Sequence, residues 1–216
     1  MVTVPGADPR FLLCRLNSEV HPGAQKKETQ HWRFVMKERI ICAGFGGQGI
    51  MFLGKLVAFT MMVEDKHVTY IPSYGPEMRG GTANCHVIVS DEEIDSPMID
   101  QADTVIVMNQ PSYEKFKSDV KPGGLLIVNS SLINVSDPPK GVKLIQVPAT
   151  ELANDMGDVR LANMIIMGVY NAAKNLVAPE KIFAALPNFL GGKKERFIPI
   201  NKQAINKGAE IYAKGA

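Results

Sequence analysis

Six residues, Gly44-Phe45-Gly46-Gly47-Gln48-Gly49, stand between a short apolar run, Arg39-Ile40-Ile41-Cys42-Ala43, and a long amphipathic segment. That placement limits the possible folds more than any other stretch of the chain. An apolar run closed by glycine reads as a buried strand. Behind the loop, Ile50, Leu53, Gly54, Val57, Ala58 and Met61 recur at helical spacing and mark one stripe of an α-helix. Strand, glycine-rich loop and helix in this order make a unit that cradles phosphates. Gly44, Gly46 and Gly49 fit the spacing G-x-G-x-x-G, in which the first permits a tight turn, the second lets backbone approach a diphosphate, and the third lets helix and strand pack closely. Backbone N–H groups at the helix start then face the anion. A turn that only packs a helix on a sheet has the same spacing, so both readings stand on the motif alone.

A dinucleotide site of this kind carries an Asp or Glu at the end of the second strand to bond the ribose. The second strand here is His67-Val68-Thr69-Tyr70-Ile71, and it runs into Pro72-Ser73-Tyr74. Glu64 and Asp65 precede it, at the wrong edge of a sheet, and a stand-alone dinucleotide-dependent reductase loses most of its support. Instead a second glycine-rich loop follows, Ser73-Tyr74-Gly75-Pro76-Glu77-Met78-Arg79-Gly80-Gly81-Thr82, before strand residues resume at Ala83. In an open α/β sheet, loops at the carboxyl ends of parallel strands line the ligand crevice, and this loop is expected beside the first. Arg79 either meets a phosphate bidentately or pairs with Glu77 at the surface.

Further along, Thr104 to Met108, Leu125 to Val128 and Val142 to Val147 read as strands, and Pro111 to Val120 as a helix. Leu161, Met164, Ile165, Gly168, Val169 and Ala172 form another helical stripe, from which Asn163 departs. Asn163 either faces a ligand or partner or has no role beyond the helix. Pro179 to Leu190 and Pro199 to Tyr212 read as terminal helices. Strands alternating with helices give a three-layer α/β/α, Rossmann-like domain with a mostly parallel or mixed sheet. Residues 1–36, broken by Pro5, Pro9 and Pro22 and lacking periodicity, are expected to be a disordered or loosely packed extension, or a stretch upstream of a true start at Met36. The α/β domain is expected over 37–192, with a C-terminal helical segment of the same domain over 193–216.

The composition closes off several functions. With 24 Lys and Arg against 22 Asp and Glu, and no basic patch interleaved with aromatics, nothing calls for nucleic acid. The longest apolar run, Ile50 to Val63, contains Lys55 and is shorter than the roughly 20 residues of a membrane span. Cys14, Cys42 and Cys85 lack C-x-x-C spacing, so they assemble neither a zinc site nor an iron–sulfur cluster. Cys42 and Cys85 read as buried apolar residues. An odd, sparse cysteine count fits a reducing cytoplasm. No Ser-His-Asp, Cys-His or paired-carboxylate arrangement emerges, Asp155 and Asp158 read as helix caps, and no thiamine-binding signature is present.

Four ordered blocks carry a resemblance: Gly44 to Gly49, Ser73 to Gly81, Asp103-Thr104-Val105-Ile106-Val107-Met108-Asn109, and Arg160-Leu161-Ala162-Asn163-Met164-Ile165. Together, from about Lys37 to about Gly192, they resemble the gamma subunit of the 2-oxoacid:ferredoxin oxidoreductases, which convert a 2-oxoacid and coenzyme A to acyl-CoA and carbon dioxide. The resemblance implies a cytoplasmic, multisubunit enzyme, inactive as this chain alone, with alpha and beta subunits, a ferredoxin-like delta subunit in some members, and ferredoxin as acceptor. It places thiamine diphosphate, magnesium and the iron–sulfur clusters on partner subunits, and no metal or catalytic residue on this chain. It associates the gamma module with coenzyme A, at Gly44, Phe45, Gly46, Gly47, Gln48 and Gly49, at Ser73, Tyr74, Arg79, Gly80 and Gly81, and at Asn163. Relatives often carry lysine in the second loop, where Arg79 is the nearest basic residue. Among substrates, 2-oxoglutarate is favoured over pyruvate, branched-chain 2-oxoacids and indolepyruvate. A purely structural interface subunit is the reading left open beside it.

Overall fold

Apolar residues that fill both faces of a strand force a sheet covered on both sides, and the centre of this sheet is of that kind. The computed structural model of the chain describes residues 11–14, 33–74 and 82–215. The strands are β1 (Phe11–Cys14), β2 (Arg33–Phe45), β3 (His67–Tyr74), β4 (Thr82–Ser90), β5 (Ala102–Val107), β6 (Val120–Asn129) and β7 (Lys143–Val147). The helices are α1 (Ile50–Val63), α2 (Gln110–Phe116), α3 (Ala149–Asp155), α4 (Ala162–Lys174), α5 (Pro179–Leu190) and α6 (Ile198–Ala213). Side by side the strands run β3-β4-β2-β5-β6-β7, with β1 antiparallel to the first residues of β2. β2, β5, β6 and β7 are parallel, while β4 is antiparallel to both β2 and β3. The sheet is therefore mixed, with helices on both faces, as the alternation of elements predicts. β3 is an edge strand, and Pro72 sits there because an edge tolerates the missing N–H.

Successive residues of the central strands feed two cores. Ile40, Cys42, Ile106 and Ile127 pack on one face under α1, α4, α5 and α6, whereas Ile41, Ala43, Val105, Val107 and Leu126 pack on the other with Tyr113 and Phe116 of α2. Cys42 lies directly opposite Cys85 in the β2/β4 register. The hydrogen bond with Cys85, together with burial, pushes the Cys42 thiol well above its ordinary range, so the pair behaves as small core residues. α4 and α6 cross backbone to backbone, since a Cβ at Gly168 would overlap the Ile205 carbonyl and one at Gly208 the Ile165 carbonyl. This crossing builds the C-terminal helical segment into the first core, where Ala204 and Ile205 are buried.

Two departures from the sequence reading have local causes. α3 is an additional short helix that begins directly after Pro148, and Asp155 is its last residue rather than a cap. Asp158 does cap, accepting from the Arg160 N–H at 3.0 Å at the start of a 3₁₀ turn. Within the expected extension, Phe11–Cys14 pairs with Arg33 to Met36. The remainder of residues 1–32 lies outside the described residues.

Candidate functional site

The parallel strands β2, β5 and β6 end side by side, and the glycine loop leaves the sheet at that carboxyl edge. β2 continues through Gly44 to Phe45, so Gly44 is still extended strand. A turn closes from the Gln48 N–H to the Phe45 carbonyl at 3.2 Å. Gly47 and Gly49 take positive φ, 101° and 73°, which only glycine adopts without strain. Gly49 is the N-cap of α1.

The loop is fastened on both shoulders. On one side the Gln48 side chain accepts from the Phe45 N–H at 2.7 Å and from Asn109 Nδ2 at 3.1 Å, and donates to the Met108 carbonyl at 3.1 Å. On the other side Asn163 Nδ2 donates to the Gly49 carbonyl at 3.1 Å. A Cβ at Gly49 would overlap that Asn163 amide. Between these anchors Gly46 and Gly47 are exposed. No acceptor among the described residues meets the N–H groups of Gly46, Gly47 or Gly49. With the unpaired first-turn donors of a fourteen-residue helix behind them, these groups form an electropositive backbone surface for an anion.

Beside the loop lies a cleft of about 290 Å³. Phe52, Leu161 and Phe197 wall it, and Asn163, Asn201 and Lys194 reach it. Arg160 also lines it but is held by Asp158, at 2.6 Å between Nη2 and Oδ2. Those hydrogen bonds keep the Asp158 carboxyl below its ordinary range and the Arg160 guanidinium above its own. The pair adds little net charge, so Lys194 at the rim and the backbone donors supply the positive potential. Among the described residues no cluster of His, Cys, Asp and Glu is arranged to hold a metal ion, and no helix is long and apolar enough to cross a membrane.

Of the residues singled out in the sequence, Gly44 to Gly49 and Asn163 come together. Ser73 and Tyr74 end β3 at the same edge, with β4 between them and Gly44, and Ser73 is exposed. Arg79, Gly80 and Gly81 lie outside the described residues. Asn109, Asn129, Phe197 and Lys194 join the site without a role expected from the sequence. For Asn109 a signal existed, because an Asn after an apolar strand and two residues before Pro111 is an N-cap pattern. It caps α2, accepting from the Ser112 N–H at 2.9 Å.

Residues 39–211 match the family model described as pyruvate ferredoxin/flavodoxin oxidoreductase. The chain belongs to this family. It is 37% identical over 172 residues to the ketoisovalerate oxidoreductase subunit VorA of Methanothermobacter thermautotrophicus, a match covering 80% of this chain and 36% of VorA. The crystal structure of the keto/oxoacid ferredoxin oxidoreductase gamma subunit from Geobacter sulfurreducens is similar, with 30% identity and a TM-score of 0.69 over 80% of this chain and 96% of that one. The 2-oxoglutarate:ferredoxin oxidoreductase of Magnetococcus marinus, solved with 2-oxoglutarate, coenzyme A and succinyl-CoA bound, gives a TM-score of 0.77 at 25% identity. That match covers 83% of this chain and 32% of the Magnetococcus chain. Within the family the domain thus occurs both as nearly a whole polypeptide and as about a third of a longer one.

Proposed function

We propose that the chain is the gamma subunit of a 2-oxoacid:ferredoxin oxidoreductase and that its glycine loop holds phosphates of coenzyme A. The observation that carries this reading is the loop tip: Gly46 and Gly47 are exposed, their N–H groups meet no acceptor among the described residues, and they open onto the start of α1. A diphosphate on a backbone surface of this kind needs no catalytic side chain. The complex as a whole would turn 2-oxoacid, coenzyme A and oxidised ferredoxin into acyl-CoA, carbon dioxide and reduced ferredoxin. Alpha and beta partners, with or without a delta subunit, would bring thiamine diphosphate, magnesium and iron–sulfur clusters. As substrate we assign 2-oxoglutarate, bound in the Magnetococcus relative, over the ketoisovalerate for which VorA is named.

The test uses the assembled complex. Gly46→Ala blocks backbone approach, and Arg79→Ala removes a charge-assisted contact of roughly 1.5–3 kcal/mol, about one to two decades in affinity. Both should raise the KM for coenzyme A and leave the thiamine-dependent decarboxylation half-reaction intact. Normal assembly with unchanged coenzyme A dependence in both variants would make the domain a structural interface instead. Turnover compared across 2-oxoglutarate, pyruvate and branched-chain 2-oxoacids settles the substrate.

A further inference from the structure

The Gln48 side chain lies in the middle of the loop, yet both of its polar atoms are used inside the protein. Its Oε1 accepts from Phe45 N–H at 2.7 Å and from Asn109 Nδ2 at 3.1 Å, and its Nε2 donates to the Met108 carbonyl at 3.1 Å. The space for this amide exists because residue 44 has no side chain. A Cβ there would stand 2.7 Å from Gln48 Oε1 and 3.2 Å from Met108 Cβ. Gly44 therefore makes room for Gln48, and its part in the glycine pattern is to admit a latch rather than to turn the chain.

The latch ends on firm ground. Met108 donates its own N–H to the Ala43 carbonyl at 2.9 Å, so the β5 end is bonded back to β2. Asn109 is fixed by capping α2. The Gln48 amide thus joins the first peptide of the loop to two rigid elements, and the residues left between the latch and the Asn163 anchor are Gly46 and Gly47. Two glycines in succession are the most costly residues to order. A ligand that met them loose would have to order them on binding, whereas a held tip has already lost that freedom.

We propose that Gln48 is a positioning residue for coenzyme A, which holds the Gly46–Gly47 tip in its binding conformation without touching the ligand. This role rests on the reading that the tip binds coenzyme A. In the assembled complex, Gln48→Met keeps the side-chain length and removes all three hydrogen bonds. It should raise the KM for coenzyme A roughly tenfold, about one net hydrogen bond, with kcat at saturating coenzyme A unchanged. Hydrogen exchange of the peptide spanning the loop, measured by mass spectrometry, should quicken at Phe45 and at residue 48, whose N–H groups are the bonded amides of the loop. Asn109→Ser retains a capping oxygen for α2 but removes the donor to Gln48. It should cause a smaller rise alone and none when added to Gln48→Met.

Unchanged loop exchange in Gln48→Met, or an Asn109→Ser effect that adds in full to it, overturns the latch. In that case Gly46→Ala can still raise the KM and the coenzyme A reading survives. Quickened exchange with an unmoved KM overturns the role from the other side, because the tip is then positioned but does not serve coenzyme A.

Discussion

The two ends of the sheet are tied together by different chemistry. At the amino end of the parallel strands the ties are charges. Glu38 of β2 meets Lys174, the last residue of α4, at 2.7 Å and accepts from Thr104 Oγ1 at 2.7 Å. Asp103 accepts from the Arg39 N–H at 2.8 Å and pairs with Lys121. At the carboxyl end the ties are neutral amides, namely Gln48, Asn109, Asn129 and Asn163. Both devices stitch β2, β5 and β6 to their neighbours, but they leave different fields behind. A buried ion pair consumes its own charge and closes the surface. Amides satisfy one another and add no net charge, so the backbone dipoles at the start of α1 remain the main local field and can attract an anion. The amino end closes on its own charges, whereas the carboxyl end leaves the N–H groups of Gly46 and Gly47 without an acceptor among the described residues.

The largest effect that separates the two ends is expected from Lys174→Met. Its side chain and that of Glu38 are 7% and 2% exposed. Removing one partner of so buried a pair strands the other, at a cost of about 3–5 kcal/mol. Denaturant unfolding of the purified chain should show it. Adding Glu38→Leu should restore most of the loss, because replacing a buried pair by apolar groups is close to neutral. A double variant as damaged as the single would mean that this end depends on more than the pair.

A pH series sharpens the contrast, since the four amides that tie the carboxyl end do not titrate. Burial raises the Glu38 carboxyl above its ordinary 4.5, outweighing Lys174 and the Thr104 hydrogen bond, which lower it; nearby Asp103 adds to the rise. An acid raised on folding binds more protons in the folded state than in the unfolded one. Its contribution to stability is therefore full below the unfolded value and is lost as pH rises through the folded one. The stability of Glu38→Gln relative to the unaltered chain should shift in favour of the variant as pH climbs from about 4.5. A shift in the opposite direction would mean that Lys174 dominates and holds the carboxyl low.

Much of this arrangement was legible in the chain, and what was not has a common cause. The stripe from Ile50 to Met61 and the strand before Gly44 follow from periodicity, because covering both faces of a sheet demands it. Asn163 stood out as a polar residue off its helical stripe, but its partner, the Gly49 carbonyl, is 114 residues away, and no local pattern specifies such a pairing. Gln48 and Asn109 are 61 residues apart and were equally out of reach. Glu38 went unremarked because the apparent strand began at Arg39, whereas β2 starts at Arg33. α3, with only Ala149 and Ala153 buried, presents too narrow a stripe for periodicity to register. Elements are written in spacing, while the ties between their ends are written in tertiary contacts.

The smallest expected effect lies at the carboxyl end and tests whether the amides are worth less than the charges. Asn129 is fully buried, donates to Thr150 Oγ1 at 2.8 Å and accepts from the Thr150 N–H at 3.3 Å. Its further approach to the Met108 carbonyl, at 3.5 Å, is at the limit of a hydrogen bond. Asn129→Ala frees the backbone and hydroxyl of Thr150, which is only half-buried, so water can take up both groups. The loss should be about 1 kcal/mol, the net worth of an ordinary hydrogen bond, and well under that of Lys174→Met in the same unfolding experiment. If Asn129→Ala costs as much as Lys174→Met, the neutral network bears the load of a buried charge pair, and the two ends differ in field but not in strength.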